Sequence, residues 1–169
     1  MKGDNMLDEI MDQNCWANET LLEFCKKLTP EQLATDATGT FGRLGDTLRH
    51  TVLADAGYLY RLGIAVTDAN PYESEQSIED LIEIVERCRE GWKKFFASEV
   101  EAAPLEREFG GSRWEIQPAV VVTQAIHHGA HHRAEACVNL TLMGLQPPGL
   151  QAWEWAADTG RMKNMGPSS

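Results

Sequence analysis

Residues 125–136 read AIHHGAHHRAEA and hold four of the chain's five histidines, His127, His128, His131 and His132. The fifth, His50, stands far upstream in DTLRHTVLADA. On a helix, side chains four residues apart are neighbours, with Cβ atoms about 5–6 Å apart. Two imidazoles so placed can share one metal ion, each nitrogen about 2.0–2.1 Å from zinc. HHGAHH contains two such pairs, His127 with His131 and His128 with His132. Successive helical positions point about 100° apart, so one pair faces a given site. The His128 face carries Val121, Ala125, Glu135, Asn139 and Leu142, and the His127 face carries Val120, Thr123, Ala134 and Val138. Apolar content does not separate the two. Glu135 and Asn139 favour the first face, because ligand imidazoles are oriented by neighbouring polar groups. A third histidine ligand must come from elsewhere, and His50 is the candidate. Alone, a mid-helix histidine is read as a hydrogen-bonded core residue. A His-x-x-x-His pair on another helix of the same bundle shifts that reading toward a ligand.

Long helices must position these groups. The first segment runs from about Leu7 to Leu28, with Leu7, Ile10, Met11, Ala17, Leu21, Phe24, Cys25 and Leu28 at helical spacing. Thr29-Pro30-Glu31 then supplies an N-cap, a first-turn proline and an acid at the positive helix end, so PEQLA should form a short helical turn. TDATGTFGRLG breaks the pattern. The second long segment runs from about Arg43 to Leu62, stopped at Gly63, and VTDANPYESEQ is a polar loop. The third runs from about Ile78 to Ser98, opened by Ser77 and Asp80 as a capping box shortened to an acid. EREFGGSRWEI reads as a small hairpin or an extended loop. Pro118 opens the fourth long segment, which continues to about Met143, where Gly144 and then Pro147-Pro148-Gly149 end it. LQAWEWAADTGRM is read as a short docking helix or an aromatic flap. Four amphipathic segments predict an all-α four-helix bundle, with short extra helical turns and an irregular stretch before the last long helix. Connections of about 14 to 22 residues exceed a minimal helical hairpin and leave the topology open.

The bulk properties narrow the function. A chain of 169 residues can bury one substantial core, and residues 1–163 are expected to form one domain, with 164–169 a flexible tail. The net charge is -11, and no run of lysine and arginine exceeds the pairs at 26–27 and 93–94, which argues against nucleic acid as a partner. The opening MKGDNMLDEIMDQNCW is acidic and lacks the basic start and apolar run of a secretory signal. AVVV is too short to span a bilayer, so no membrane partner and a cytoplasmic location are expected. The four cysteines, Cys15, Cys25, Cys88 and Cys137, form no Cys-x-x-Cys motif and read as small helical hydrophobes.

Three stretches together resemble the DinB-like superfamily of metal-binding four-helix bundles. GRLGDTLRHTVLADAGYLYRL is similar to its second helix, with a lone histidine followed by an aromatic-rich turn. HGAHHRAE, residues 128–135, resembles its His-x-x-x-His-Arg helix, and MGLQPPGLQAWEW its Gly-x-x-Pro-Pro tail. The resemblance implies His50, His128 and His132 as metal ligands, and it is the resemblance that chooses the pair. Glu135 stands where the family often has glutamine, two residues after the arginine. It could orient a ligand imidazole, act as a base, or face solvent. His127 and His131 are extra histidines, read as surface groups or as supports for the ligands.

Three imidazoles would hold a divalent ion (zinc, nickel or iron) without cancelling its charge and leave positions open for a guest. The resemblance implies an enzyme that activates the thiolate of a low-molecular-weight thiol and transfers it to an electrophile, since characterised relatives include thiol-dependent transferases and isomerases. A hydrolase using activated water is the first alternative; a non-catalytic metal-pinned bundle or small-molecule binding protein is the second. Glu135 and Arg133 are the candidate catalytic side chains. Arg133 is read as a clamp for a substrate carboxylate, as an inter-helix tie, or as an exposed ion-pair partner. Asp46 could accept the other N–H of His50, or could simply cap the positive end of its helix. Trp153 and Trp155 are the aromatic residues best placed to line a pocket, while Tyr58, Tyr60, Trp92 and Trp114 read as core. A small-molecule substrate and a homodimer are expected, with exposed apolar positions on the first and third long segments available for self-association.

Overall fold

The computed structural model describes residues 6–67, 73, 75–98 and 103–166. Four long helices, α1 (Met6–Cys25), α3 (Leu44–Arg61), α4 (Ile78–Ala97) and α5 (Pro118–Leu142), are joined by the short α2 (Pro30–Leu33), a hairpin of β1 (Leu105–Phe109) and β2 (Ser112–Ile116), and a final α6 (Ala152–Asp158). Residues 68–72 and 74 of the expected polar loop and 167–169 of the expected tail lie outside the described residues.

Local chemistry sets the boundaries. Thr29 and Gln32 close a reciprocal box at the start of α2: the Gln32 N–H donates to Thr29 Oγ1, and the Thr29 N–H to Gln32 Oε1. Ser77 and Asp80 do the same for α4. The α1 helix stops at Cys25, three residues short of the sequence expectation, and the chain turns there with the Leu28 N–H bonded to the Cys25 carbonyl. Gly110 and Gly111 both have positive φ, 58° and 73°, the conformation a two-residue hairpin turn requires. The uncertain stretch before α5 is therefore a true antiparallel hairpin, with Leu105 opposite Ile116.

The four long helices form a square. The α1 helix lies beside α4 and α5, and α3 lies beside α4 and α5. Along α1 and α4 the contacts run in opposite order: Lys26 meets Glu79, while Glu19 and Asp12 meet Arg89. Those two helices are antiparallel. Along α3 and α4 they run in the same order, with Arg49 bonded to Gln76 just before α4 and Leu59 packed beside Gly91. These two are parallel, so the end of α3 and the start of α4 lie at opposite ends of the bundle. The topology is not simple up-down-up-down.

The core is built from Met11, Leu21, Leu22, Leu44, Val52, Leu59, Leu81, Val85, Trp92 and Leu140, among others, all buried. Trp92 is buried in a cluster with Phe95 and Phe96, and its indole N–H donates to Asp55 at 3.2 Å. The large hydrophobics of α4 are buried or half-buried; at the start of α1, Met6, Leu7 and Ile10 are exposed. No helix among the described residues is long and apolar enough to cross a membrane. Removing the Trp92 ring should open a large void and strip Asp55 of its donor. We expect Trp92→Ala to lose about 3–5 kcal/mol of stability, read by urea denaturation followed by far-UV circular dichroism.

Candidate metal centre

The structure brings His50 of α3 together with His128 and His132 of α5. One ligand nitrogen from each lies within 4.8 Å of the others. The Nε2 atoms of His50 and His128 are 3.0 Å apart. Two ligands at about 2.0–2.1 Å from one ion are separated by about 2.9–3.4 Å, so this spacing fits a shared cation. The ring centroids of the three histidines are 4.4 to 4.8 Å apart. His132 is buried, while His50 and His128 are half-buried. Burial also separates the two pairs that the spacing left equal. Val121, Ala125, His132 and Asn139 are buried, whereas Val120, His127, His131, Ala134 and Val138 are exposed.

Burial and crowding favour the neutral form of His50 and His128. His128 is pushed down to about 4, first by burial and then by the positive charge that His132 and His50 would carry. His50 is lowered in the same way, by burial first and by His132 second. At neutral pH both lone pairs are free for a cation. Glu135 holds the third ring: its Oε2 lies 2.6 Å from His132 Nδ1. A proton on Nδ1 leaves Nε2 of His132 as the ligand atom, the usual arrangement of a carboxylate behind a metal-bound histidine. The other oxygen of Glu135 lies 3.2 Å from Nε2 of exposed His131.

Arg133, adjacent to His132, turns into the protein. It is buried, and its Nη1 donates to Oδ1 of Asn14 at 2.8 Å and Oδ1 of Asn18 at 2.7 Å, both on α1. Of the three roles open in the sequence, this geometry is the inter-helix tie. Burial lowers the guanidinium to about 10, and the buried carboxyl of Asp55 acts against that shift. Gly129 makes the close approach of α1 feasible, because a Cβ there would stand 2.7 Å from Asn14 Oδ1 and 2.8 Å from Arg133 Nη1.

The other residues singled out in the sequence take mostly structural places. Asp46 is exposed in the first turn of α3, where its charge complements the positive end of the helix dipole. Asn139 is buried, but its side chain has no hydrogen-bond partner among the described residues. Trp155 docks α6 on α1, donating to Asp12 and stacking under Arg161, while Trp153 is exposed. Trp114 and Tyr60 are exposed too, and Trp92 is core. Of the aromatic residues singled out in the sequence, Tyr58 reaches the histidines, edge-on to His128 at 5.7 Å. Phe41, passed over as part of a breaker stretch, stacks on His50 at 4.1 Å and meets His132 edge-on at 5.2 Å. An isolated aromatic among Thr40, Gly42 and Gly39 was the available signal. Cys15, Cys25 and Cys88 are buried, and burial raises all four thiols, Cys25 to about 12.

Two outcomes follow from this geometry. The folded His128 takes its proton at a lower pH than an unfolded histidine, so its share of stability is complete above about 6.5 and is lost as pH falls toward about 4. Asp55, pushed up to about 7 by burial, acts in the opposite sense: its protonated form favours folding, and that contribution is lost as pH rises through about 7. The His128 share is isolated by comparison with His128→Ala. In metal-free protein, the variant should gain stability relative to the parent as pH is lowered from 6.5 to 4, read by denaturation at stepped pH. Gly129→Ala should cost about 1–3 kcal/mol by overpacking against Asn14. It should also weaken metal binding, since His128 precedes the displaced residue; titration of both proteins with zinc measures this.

Comparisons with known proteins agree with this architecture. The DinB family model matches residues 1–162. Comparison with the curated proteins gives no match. Among solved structures, the fold is similar to a crystal structure of a DinB-like protein from Bacillus cereus ATCC 10987. The TM-score is 0.61 at 20% identity, over 82% of this chain and 91% of that one. At that identity the likeness concerns the fold alone. The family model, by contrast, spans nearly the whole sequence, and the chain belongs to the DinB family.

Proposed function

We propose that this protein is a divalent-metal enzyme whose three-histidine centre activates the thiolate of a low-molecular-weight thiol for transfer to an electrophile. The observation that carries the reading is the convergence of His50, His128 and His132, with two ligand nitrogens 3.0 Å apart. A divalent ion held there supplies Lewis acidity that makes a coordinated thiol ionise at neutral pH. The chain's own residues do the rest. His50 and His128 offer unprotonated nitrogens, and Glu135 keeps His132 in the right tautomer. Phe41 covers one face of His50 and is itself half exposed, so the centre lies near the surface where a small substrate can reach it. Arg133 fixes α5 against α1 and acts as a positioning residue.

One further observation supports a thiol from outside the chain. The protein's own thiols are raised by burial and are poor nucleophiles at neutral pH. Zinc, nickel and iron(II) all suit the donor set. The same reading takes the working species as a cytoplasmic homodimer acting on a small molecule, and the exposed Met6, Leu7 and Ile10 support self-association.

The test begins with elemental analysis of metal-replete protein. We expect a bound ion whose affinity falls at least about tenfold in His50→Ala, the cost of losing even an outer partner of a ligand. Metal-loaded protein is then incubated with a bacterial thiol and a generic electrophile. Consumption of both, dependent on the ion and lost in His50→Ala, is the expected result. Consumption of an ester without thiol would favour the hydrolase. Unfolding on chelation, with no turnover of either, would mark the ion as a structural pin.

A further inference from the structure

The outer sides of α4 and α5 have opposite chemistry. On α4 the exposed residues include Glu79, Glu83, Glu86, Glu90 and Lys94, as a water-facing helix requires. On α5, over 25 residues, no exposed residue is charged. Its two charged side chains are Arg133, which is buried, and Glu135, which is half-buried and held between two histidines. Apolar side chains stand in the open instead, with Val120 at 56%, Val138 at 47% and Leu142 at 70% exposure. The exposed Thr123 and Thr141 donate their hydroxyls to the carbonyls of Ala119 and Cys137, within their own helix. Loss of charge with retained apolar surface is the composition of an interface core, not of a solvated face.

Spacing supplies the geometry. Val120, Gln124, His127, His131, Ala134 and Val138 follow one another by four and three residues in alternation, and all six are exposed. A 3.5-residue repeat keeps one row of side chains facing a partner helix. We propose that this row is a self-association seam, on which α5 packs antiparallel against α5 of a second copy of the chain, about a twofold axis near His131. That packing places Gln124 opposite Val138 of the other copy, and the large His127 beside the small Ala134. A parallel pairing would set His127 against His127.

Charge selects the occupant. Each copy carries a net charge of -11, so two copies repel over most directions of approach. The charge-free row is where that repulsion bears least, and a partner recognised by its charge finds nothing there to pair with. A surface that meets itself about a twofold axis closes as a dimer. This proposal rests on the homodimer proposed above and places its contact on α5, not on the start of α1. The seam adjoins the metal centre, because His131 touches one oxygen of Glu135 while the other oxygen holds His132.

Sedimentation equilibrium of the full, metal-free chain over a concentration series is the test. The parent should show a reversible monomer–dimer equilibrium. Val138→Glu and Gln124→Lys each put an unpaired charge into the seam and should raise the dimer dissociation constant at least about tenfold. Both positions are exposed in the single chain and both new residues are good helix formers, so the fold is retained and circular dichroism verifies it. The combined variant, Gln124→Lys/Val138→Glu, should recover dimerisation, because antiparallel packing sets each lysine against a glutamate of the other copy. Ile10→Glu, at the start of α1, should leave the dimer intact. A dimer that survives Val138→Glu and dissociates in Ile10→Glu would overturn the α5 seam and keep the homodimer. Single variants that dissociate with no recovery in the combined variant would overturn the antiparallel packing. A parent that stays monomeric throughout would overturn both seam and homodimer, and leave the proposed metal chemistry standing.

Discussion

The architecture turns on α5 being held from two sides by consecutive residues. His132 faces α3 and the other two rings; Arg133, about 100° further round, is anchored in α1 by Asn14 and Asn18. A guanidinium buried this deeply costs much more than it gains unless its donors are met, so α1 must present acceptors where α5 passes. Gly129 permits the approach, and the two asparagines complete it. Rotation of α5 about its axis would break the Arg133 tie and scatter the rings together. The orientation of the histidines is thus fixed by an interaction that none of them makes.

Electrostatics complement that mechanical constraint. The three imidazoles pack with centroids under 5 Å apart, and His50 and His128 resist protonation, so those two offer lone pairs and not positive charge. Around it the chain carries a net charge of -11, which draws cations toward the surface and repels polyanions. Glu135 stands directly behind the His132 ring, and its two oxygens are shared between His131 and His132. A divalent ion would meet an acidic field from afar and neutral nitrogen donors at close range.

Much of the scaffold was legible because its boundaries are written locally. Thr29 with Gln32, and Ser77 with Asp80, mark helix starts through bonds spanning three residues. Gly110-Gly111 marks a tight turn, although the flanking strands alternate too weakly to distinguish hairpin from loop. The choice between the two histidine pairs was not legible from spacing. Both faces of α5 carry similar apolar content, and what separates them is burial of the His128 side against the rest of the bundle, a tertiary fact. Phe41 escaped notice because the path of its loop depends on Gly39 and Gly42, both with positive φ, and not on any periodic pattern. The anchor for Arg133 left a faint trace. Met11, Asn14, Asn18, Leu21 and Cys25 lie on one face of α1, and two asparagines in an otherwise apolar stripe ask for a buried partner. The parallel course of α3 and α4 was foreshadowed only by the length of their connection.

The placement of the cysteines bears on the protein's own durability. Cys15, Cys25 and Cys88 are sealed between helices, and Cys137 is half covered on α5, with every thiol held in its protonated form by burial. No cysteine among the described residues is therefore fully exposed beside the imidazoles. Were the proposed function to bring an electrophile to the centre, the chain's own thiols would compete for it poorly.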